Sequence, residues 1–337
     1  MQVLFITPRY YPYIGGVEYV VKSIAERIRD SVVLCGDPNI DEIKEEEING
    51  VQVFRWPTYA PSNTYHFPRK RSQLMEFLKR ILRDIDIVHV HSAHAVFSVY
   101  SGLKVKEIDK NIRIIFTLHY IGLNRFFISK ILWKLWKIYV LKLIKYSDKI
   151  QALSDIEMEW IMSEYPIAKN KIILIPNGVE DDVFAYRWNG SEDYVVFSGR
   201  IEKYKRINLV IKIAEKLNLK ALIIGEGAYK KVLMKKAKNA IFLPPQPREK
   251  YLELLTNAKF AANPSRHEAL SIFVLENLAI GTPIFVSDVI LKSIKSFVYN
   301  DIEKMRLNGD ILYLVRKGYV PSWNEIVNKI IKDLYLS

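Results

Sequence analysis

The sequence predicts an α/β protein built of two parallel-sheet domains, and three observations carry that prediction. Short apolar runs of strand length alternate with stretches in which apolar residues recur every three to four positions; this is the signature of strands joined by crossover helices. The chain has 337 residues, half of them apolar, enough to bury a core in each of two domains. Glycine and proline turns fall directly after the strand-like runs, where open α/β sheets expose their ligand-binding ends.

Taken in order, Val3 to Thr7 is an apolar strand, and PRYYPYIGGVEYVVKSIAERI turns through prolines and glycines into a helix. Gly15 and Gly16 sit just ahead of that helix; they serve either as a plain tight turn or to let backbone amides approach a phosphate or sugar. Ser31 to Gly36 is a second strand, DEIKEEEING reads as a solvated loop or turn rather than a site, and Val51 to Trp56 is a third strand. A polar and aromatic loop runs on through Pro68, suited to acceptor contacts. The helix from Ser72 to Arg83 leads to the strand Asp86 to His91. Alternation puts His89 and His91 on one face, with His94 close behind. No cysteine or carboxylate cluster accompanies them, which argues against a metal site. Ile112 to Leu118 is another strand, with His119 and Tyr120 at its carboxyl end.

Residues 126–149, FFISKILWKLWKIYVLKLIKYSDK, form a long basic, aromatic helix. Lys130, Lys134, Lys137 and Lys145 fall near one stripe, and Trp133, Trp136 and Ile138 contribute to a broad apolar surface. Two readings stand: a helix packed on the sheet with its lysines in water, or one resting on an anionic membrane. KIILIPNGV, Lys171 to Val179, ends in a turn near the domain boundary. The second half opens with the strand Tyr194 to Ser198, then Gly199, Arg200 and, five residues after the arginine, Lys205. A guanidinium fork and an ammonium at a strand mouth suit a diphosphate. Strands at Leu222 to Ile224 and Ala240 to Pro244 follow, then a short helix at Tyr251 to Leu255.

The stretch Pro264 to Asp288 carries the chemistry. Its helix starts near Ile272 with Ser271 as N-cap and stops at Gly281, with Pro283 close behind. Glu268 precedes the first turn and Glu276 lies on the second, so two carboxylates frame a helix N-terminus that favours an anion.

Glu268 and Glu276, with seven residues between them, together with Pro264, Ser265, Leu275, Gly281, Thr282 and Pro283, resemble the Glu-x7-Glu motif of the retaining, nucleotide-sugar-dependent glycosyltransferases of family 4. Tyr11, Pro12, Gly15, Gly16 and Glu18 resemble that family's N-terminal glycine loop, and Arg200 with Lys205 its phosphate-binding pair. The resemblance implies a GT-B fold, two Rossmann-like domains facing across a cleft. It implies an acceptor-binding domain at 1–177, joined by a C-terminal helix at 320–337, and a donor-binding domain at 178–319. It further implies that Glu268 reaches the donor sugar, Glu276 holds the ribose, His119 contacts the sugar, and Arg200 and Lys205 receive the diphosphate. Gly199, Leu270, Ser271 and Ile272 then line the donor site with Gly15 and Gly16. Tyr11, His91 and Tyr120 are acceptor-side candidates, His91 equally a packing residue. The chain departs from the pattern at Ala269, Leu270 and Ser271, where Gly-Phe-Gly is usual, at Arg206, where glycine is common, and at Tyr120, where many members carry an acid.

The expected reaction moves a sugar from a nucleoside diphosphate donor to an acceptor hydroxyl on a glycan, lipid or small molecule, with retention and without a metal or other cofactor. Competing expectations are a nucleotide-sugar epimerase, a phosphorylase, or a noncatalytic basic relative that binds membranes or polyanions. The net charge of +13 fits an anionic partner without choosing among them. No compact nucleic-acid motif is present. The single Cys35 excludes an internal disulfide, and a start directly in the strand MQVLFIT reads as a cytoplasmic protein, peripheral on the membrane if the basic helix docks there. Lysines interrupt every apolar run long enough to approach a membrane span.

Overall fold

The computed structural model describes residues 1–13, 15–61, 65–122, 127–299, 302–307 and 309–337, with side chains left out at 127–132. These residues divide into two compact units, one of Met1–Pro176 with Asn324–Ser337 and one of Asn177–Trp323.

The first unit begins with β1 (Val3–Thr7), whose five residues are all buried, the mark of a central strand covered on both faces. Helix α1 (Gly16–Ala25) follows, then β2 (Ser31–Asp37), β3 (Lys44–Ile48), β4 (Val51–Tyr59) and β5 (Phe67–Pro68). Next come α2 (Arg71–Ile81), β6 (Ile87–His91), α3 (Val96–Ile108), β7 (Arg113–Thr117) and α4 (Phe127–Tyr146). Strand β8 (Lys149–Ala152), α5 (Asp155–Glu164) and β9 (Ile172–Leu174) complete the run. Among the described residues the sheet order is β3-β4-β2-β1-β6-β7-β8-β9, with β5 pairing β4. The chain thus winds one way from β1 to β2 and the other way to β6. A crevice opens at such a reversal, at the carboxyl ends of β1 and β6.

One reading is corrected here. KEEEI is a strand, not a loop: β3 pairs antiparallel with β4 through a turn whose Asn49 and Gly50 have φ of 51° and 78°. Asn-Gly favours this tight hairpin, and at a sheet edge the acids stay solvated or paired. Glu46 meets Arg55, and Gln52 donates to Glu45 at 2.8 Å.

In the second unit, β10 (Glu192–Ser198), α6 (Ile207–Lys216), β11 (Lys220–Ile224), α7 (Lys230–Lys236) and β12 (Ala240–Leu243) wind outward. Helix α8 (Arg248–Asn257), β13 (Ala258–Asn263), α9 (Ile272–Ile280), β14 (Ile284–Val286) and α10 (Asp288–Ser293) wind back the other way. The region after Asp288, where no family pattern was legible, forms an antiparallel pair, β15 (Ile302–Leu307) and β16 (Asp310–Val315), that closes one edge of the sheet. The order is β12-β11-β10-β13-β14-β16-β15, so this sheet reverses between β10 and β13. A final helix, α11 (Trp323–Ile330), continues through a wider turn at Ile331–Tyr335 and buries Ile326, Ile330, Leu334 and Tyr335.

Helix α4 sorts its side chains differently from expectation. Trp133 stacks near Tyr120 and His94, and Trp136 Nε1 donates to the Ala93 carbonyl at 2.9 Å, so both tryptophans face the protein. Leu135, Ile138 and Tyr139 face solvent at 63%, 64% and 53% exposure. Lys137 leaves the expected lysine stripe to pair with Glu164 at 2.7 Å. Phe126 and the Lys130 side chain lie outside the described residues.

Candidate functional site at the two sheet reversals

The loops that follow β10 and β13 meet where the second sheet reverses. Gly199 leaves β10 with φ of 147°, and its amide donates to the Ile224 carbonyl at 3.0 Å. A side chain at Gly225, the next strand's end, would put its Cβ 2.2 Å from the Gly199 carbonyl oxygen, so glycine is required for these loops to touch. Arg200 is exposed, and its Nη2 donates to Tyr204 Oη at 3.2 Å. One helical turn places Lys205 back toward β13, and Lys205 Nζ donates to both oxygens of Glu268 at 2.7 Å each.

Glu268 is also within 3.4 Å of Asn263 Nδ2, and Asn263 donates to Ser271 Oγ at 3.0 Å. The Arg266 amide donates to the Tyr204 carbonyl at 3.0 Å. Lys205, Glu268 and Ser271 therefore form one connected cluster with the Arg200 turn beside it. Ser271 is the N-cap position of α9, as expected, though its hydroxyl is used by Asn263 rather than by the helix amides. Leu270 is buried, and Ile272 opens the helix. Gly281 at φ of 92° closes it in the left-handed form that glycine favours.

Glu276 lies one turn into α9 and is 2% exposed. Burial pushes its carboxyl up from the ordinary range, and the neighbouring Arg248 guanidinium opposes that shift. Sequence reasoning missed Arg248 and Tyr251, because partners 28 and 25 positions from Glu276 leave no local signal. Asn263 was missed for a different reason: it reads as the tail of a strand, and its partner Glu268 lies five positions on, in the loop before α9.

In the first unit the expected residues gather at the carboxyl ends of β1, β6 and β7. Gly15 caps α1, and a Cβ there would fall 2.3 Å from a Glu18 carboxylate oxygen, whereas Gly16 has open space around it. Glu18 in turn accepts from Arg9 Nε at 3.1 Å. Tyr11 is exposed, and its carbonyl accepts from the buried Arg55. His91 Nδ1 and His119 Nε2 are 3.1 Å apart, and His119 takes a left-handed φ of 49° at the end of its strand. Burial lowers the His119 value to about 3 and holds His91 well below its ordinary value, so both rings are neutral near pH 7. Tyr120 is packed in the core at 2% exposure, between His94 and Trp133, and burial keeps its phenol unionised. Its amide donates at 2.6 Å to Glu157, a residue sequence reasoning passed over.

Residues 14–183, half of the chain, match the model of Glycosyltransferase Family 4, and residues 179–301 match that of Glycosyl transferases group 1. The chain belongs to glycosyltransferase family 4. An uncharacterized glycosyltransferase of Methanocaldococcus jannaschii is 24% identical over 297 residues, covering 83% of this chain and 77% of that protein. A D-inositol 3-phosphate glycosyltransferase of Mycobacteroides abscessus is 26% identical over 165 residues, 42% of this chain and only 37% of its own length. Among solved structures, HepE of Anabaena in complex with UDP and glucose has a TM-score of 0.68 at 15% identity, covering 99% of this chain and 90% of that one. Sucrose-phosphate synthase of Thermosynechococcus elongatus has a TM-score of 0.67 at 17% identity, covering 88% and 83%. This glycosyltransferase therefore has the two-domain GT-B fold.

Proposed function

We propose that this glycosyltransferase moves a sugar from a nucleoside diphosphate donor to an acceptor hydroxyl with retention at the anomeric carbon. The observation that carries the reading is the Lys205–Glu268 pair beside Arg200 at the reversal of the second sheet. A diphosphate entering there takes Lys205 Nζ and the Arg200 guanidinium as its counter-charges, and Glu268, released from the lysine, turns to the sugar hydroxyls. Glu276 accepts from the ribose. The bond from the anomeric carbon to the diphosphate oxygen breaks, the acceptor oxygen bonds to that carbon on the same face, and the acceptor proton passes to the departing phosphate. Two basic side chains supply the charge stabilisation that the leaving group needs, so the reaction is proposed to run without a metal. In the first unit, His119 contacts the sugar, and Gly15 and Gly16 line the donor, with Tyr11 and His91 on the acceptor side.

The acceptor is proposed to be lipid-linked on the strength of α4. Leu135, Ile138 and Tyr139 stand out from the same helix face as Lys142 and Tyr146, and Lys134 and Lys145 are exposed beside them. Apolar groups flanked by lysines fit an anionic bilayer surface. Among the described residues no helix is long and apolar enough to cross a membrane. Co-sedimentation with anionic against neutral vesicles tests this, with Leu135→Glu and Ile138→Glu abolishing the preference.

Turnover is tested by following release of UDP, ADP or GDP from a panel of sugar nucleotides, with sugar and lipid acceptors. Glu268→Ala and Arg200→Ala are each expected to lower the rate by about 10²–10³. A changed sugar nucleotide formed without acceptor, turnover that needs free phosphate, or no nucleotide binding at all would overturn the reading.

A further inference from the structure

Glu276 shares its pocket with two residues from α8. Arg248, the first residue of that helix, donates through Nη1 to Glu276 Oε1. With Nε and Nη2 it grips Asp182 Oδ2 and Oδ1 at 3.0 and 2.9 Å, a two-pronged pairing that fixes the guanidinium plane. Tyr251, three residues along and so on the same helix face, donates its hydroxyl to Glu276 Oε2 at 2.6 Å. Asp182 belongs to the short turn Asp181–Ala185, just after the chain enters the second unit.

We propose that Arg248 and Tyr251 are positioning residues for the donor's ribose. They fix the rotation of the Glu276 carboxylate and keep it an acceptor, while Asp182 holds Arg248 in place. The proposal rests on the assignment of Glu276 to the ribose. A carboxylate offers about four lone-pair sites. Arg248 and Tyr251 take one on each oxygen, leaving one on each for a pair of vicinal hydroxyls. A carboxylate free to rotate, or one that has gained a proton, loses that match.

Charge makes the arrangement necessary. Glu276 is the only titratable residue on α9, and β14 behind it has none. Among the described residues, the charged and titratable groups acting on it are Arg248 and Tyr251 from α8 and Asp182 from the turn. Burial and Asp182 both favour the protonated carboxyl; Arg248, first, and Tyr251 favour the carboxylate. Without the guanidinium, Glu276 takes up its proton at a higher pH.

The experiment is calorimetric binding to the full chain. UDP, ADP and GDP are screened, and the tightest is compared with its 2′-deoxy and 3′-deoxy analogues between about pH 6 and pH 8. Wild type is expected to favour the ribonucleotide by roughly tenfold, the worth of a hydrogen bond to a charged group. Glu276→Gln and Arg248→Met should both erase that preference. Arg248→Met should in addition bind the ribonucleotide more weakly as the pH is lowered, where wild type is flat, and Arg248→Lys should restore the flat profile. In turnover, donor KM should rise with kcat little changed. If Arg248→Met does not fold, Tyr251→Phe and Asp182→Asn carry the test, each reducing the preference by roughly threefold. Full ribose preference and a flat pH profile in the Arg248 and Tyr251 variants, with the preference lost in Glu276→Gln, overturn the proposal alone. Preference retained in Glu276→Gln overturns the ribose assignment with it, and a wild type that binds no nucleotide overturns the donor site as a whole.

Discussion

Lys205 Nζ sits at equal distance from the two Glu268 oxygens, so each group in the resting site neutralises the other. Lys205→Ala removes the charge expected to meet the leaving diphosphate and is predicted to lower kcat by about 10²–10³, measured in steady-state turnover. Lys205→Arg keeps the charge, and its fork can still pair with both oxygens of Glu268, but its larger planar head cannot occupy the place of the compact ammonium, so only partial rescue is expected. The next residue tests how far the backbone departs from its relatives. Arg206 holds a left-handed φ of 54° and pairs with Asp310 of β16. A side chain costs about 1–2 kcal/mol in that conformation, and a partly exposed ion pair returns about 0–1 kcal/mol. Arg206→Gly is therefore predicted to be neutral or stabilising by up to ~1 kcal/mol in chemical denaturation.

Among the elements, the loops at the reversal of the second sheet tolerate least. Gly225→Ala would drive a Cβ into the Gly199 carbonyl oxygen at 2.2 Å, on a backbone of φ 138°. It is predicted to cost more than ~2 kcal/mol in stability and to lower turnover in the surviving folded protein, since Gly199 leads straight into Arg200. The strands β1, β2, β4, β6, β7 and β10, the helices α1, α2 and α4 and the cap of α9 were legible because each is written in consecutive residues: apolar runs, a 3.6-residue period, Ser271 before Ile272, Gly281 after Ile280. Lys205 and Glu268 were each singled out by their place at a strand mouth and a helix start as well as by the family pattern, but their contact, across 63 positions, was not. Arg248, Tyr251 and Asp182 were not, because three separate elements bring them to Glu276. The β3–β4 hairpin was legible in principle, since Asn49-Gly50 is its signal, but the five acids of residues 41–50 read as loop. Helix α4 shows the limit of a stripe drawn without a sheet beneath it: Trp133 and Trp136 turned inward, and Leu135 and Ile138 outward.

At the scale of the whole molecule, the buried titratable groups of the first unit set its response to pH. Burial lowers His66 to about 4 and His89 and His119 to about 3, and holds His91 well below 6.5. The unfolded chain takes up these protons below about pH 6.5 while the folded one does not, so the stabilisation is whole above that pH and is lost as the pH falls. Glu157 acts in the opposite sense. Burial raises it to about 7, outweighing hydrogen bonds from the Leu153 and Tyr120 amides, so its contribution declines as the pH rises from 4.5 to 7. Four histidines outnumber one glutamate. The urea midpoint of the first unit is predicted to fall between about pH 7.5 and pH 5, and a rise would mean that Glu157 dominates.

A chain of hydrogen bonds runs through the same core, and its polarity follows from its ends. Gln151 Nε2 donates to the Ile175 carbonyl at 2.9 Å and Thr117 Oγ1 to Gln151 Oε1 at 2.8 Å. Thr117 must then accept from His89 Nε2, 2.7 Å away, which leaves His89 Nδ1 to accept from Tyr335 Oη, also at 2.7 Å. Tyr335 belongs to segment 324–337, which the ribosome makes only after the whole second unit. At usual elongation rates this donor follows the rest of the first unit by roughly ten to thirty seconds. The second unit, started later, thus has all of its residues before the first unit does. A chain lacking 324–337 should yield a protease-resistant fragment of the second unit and a first unit that is digested, which limited proteolysis reads directly.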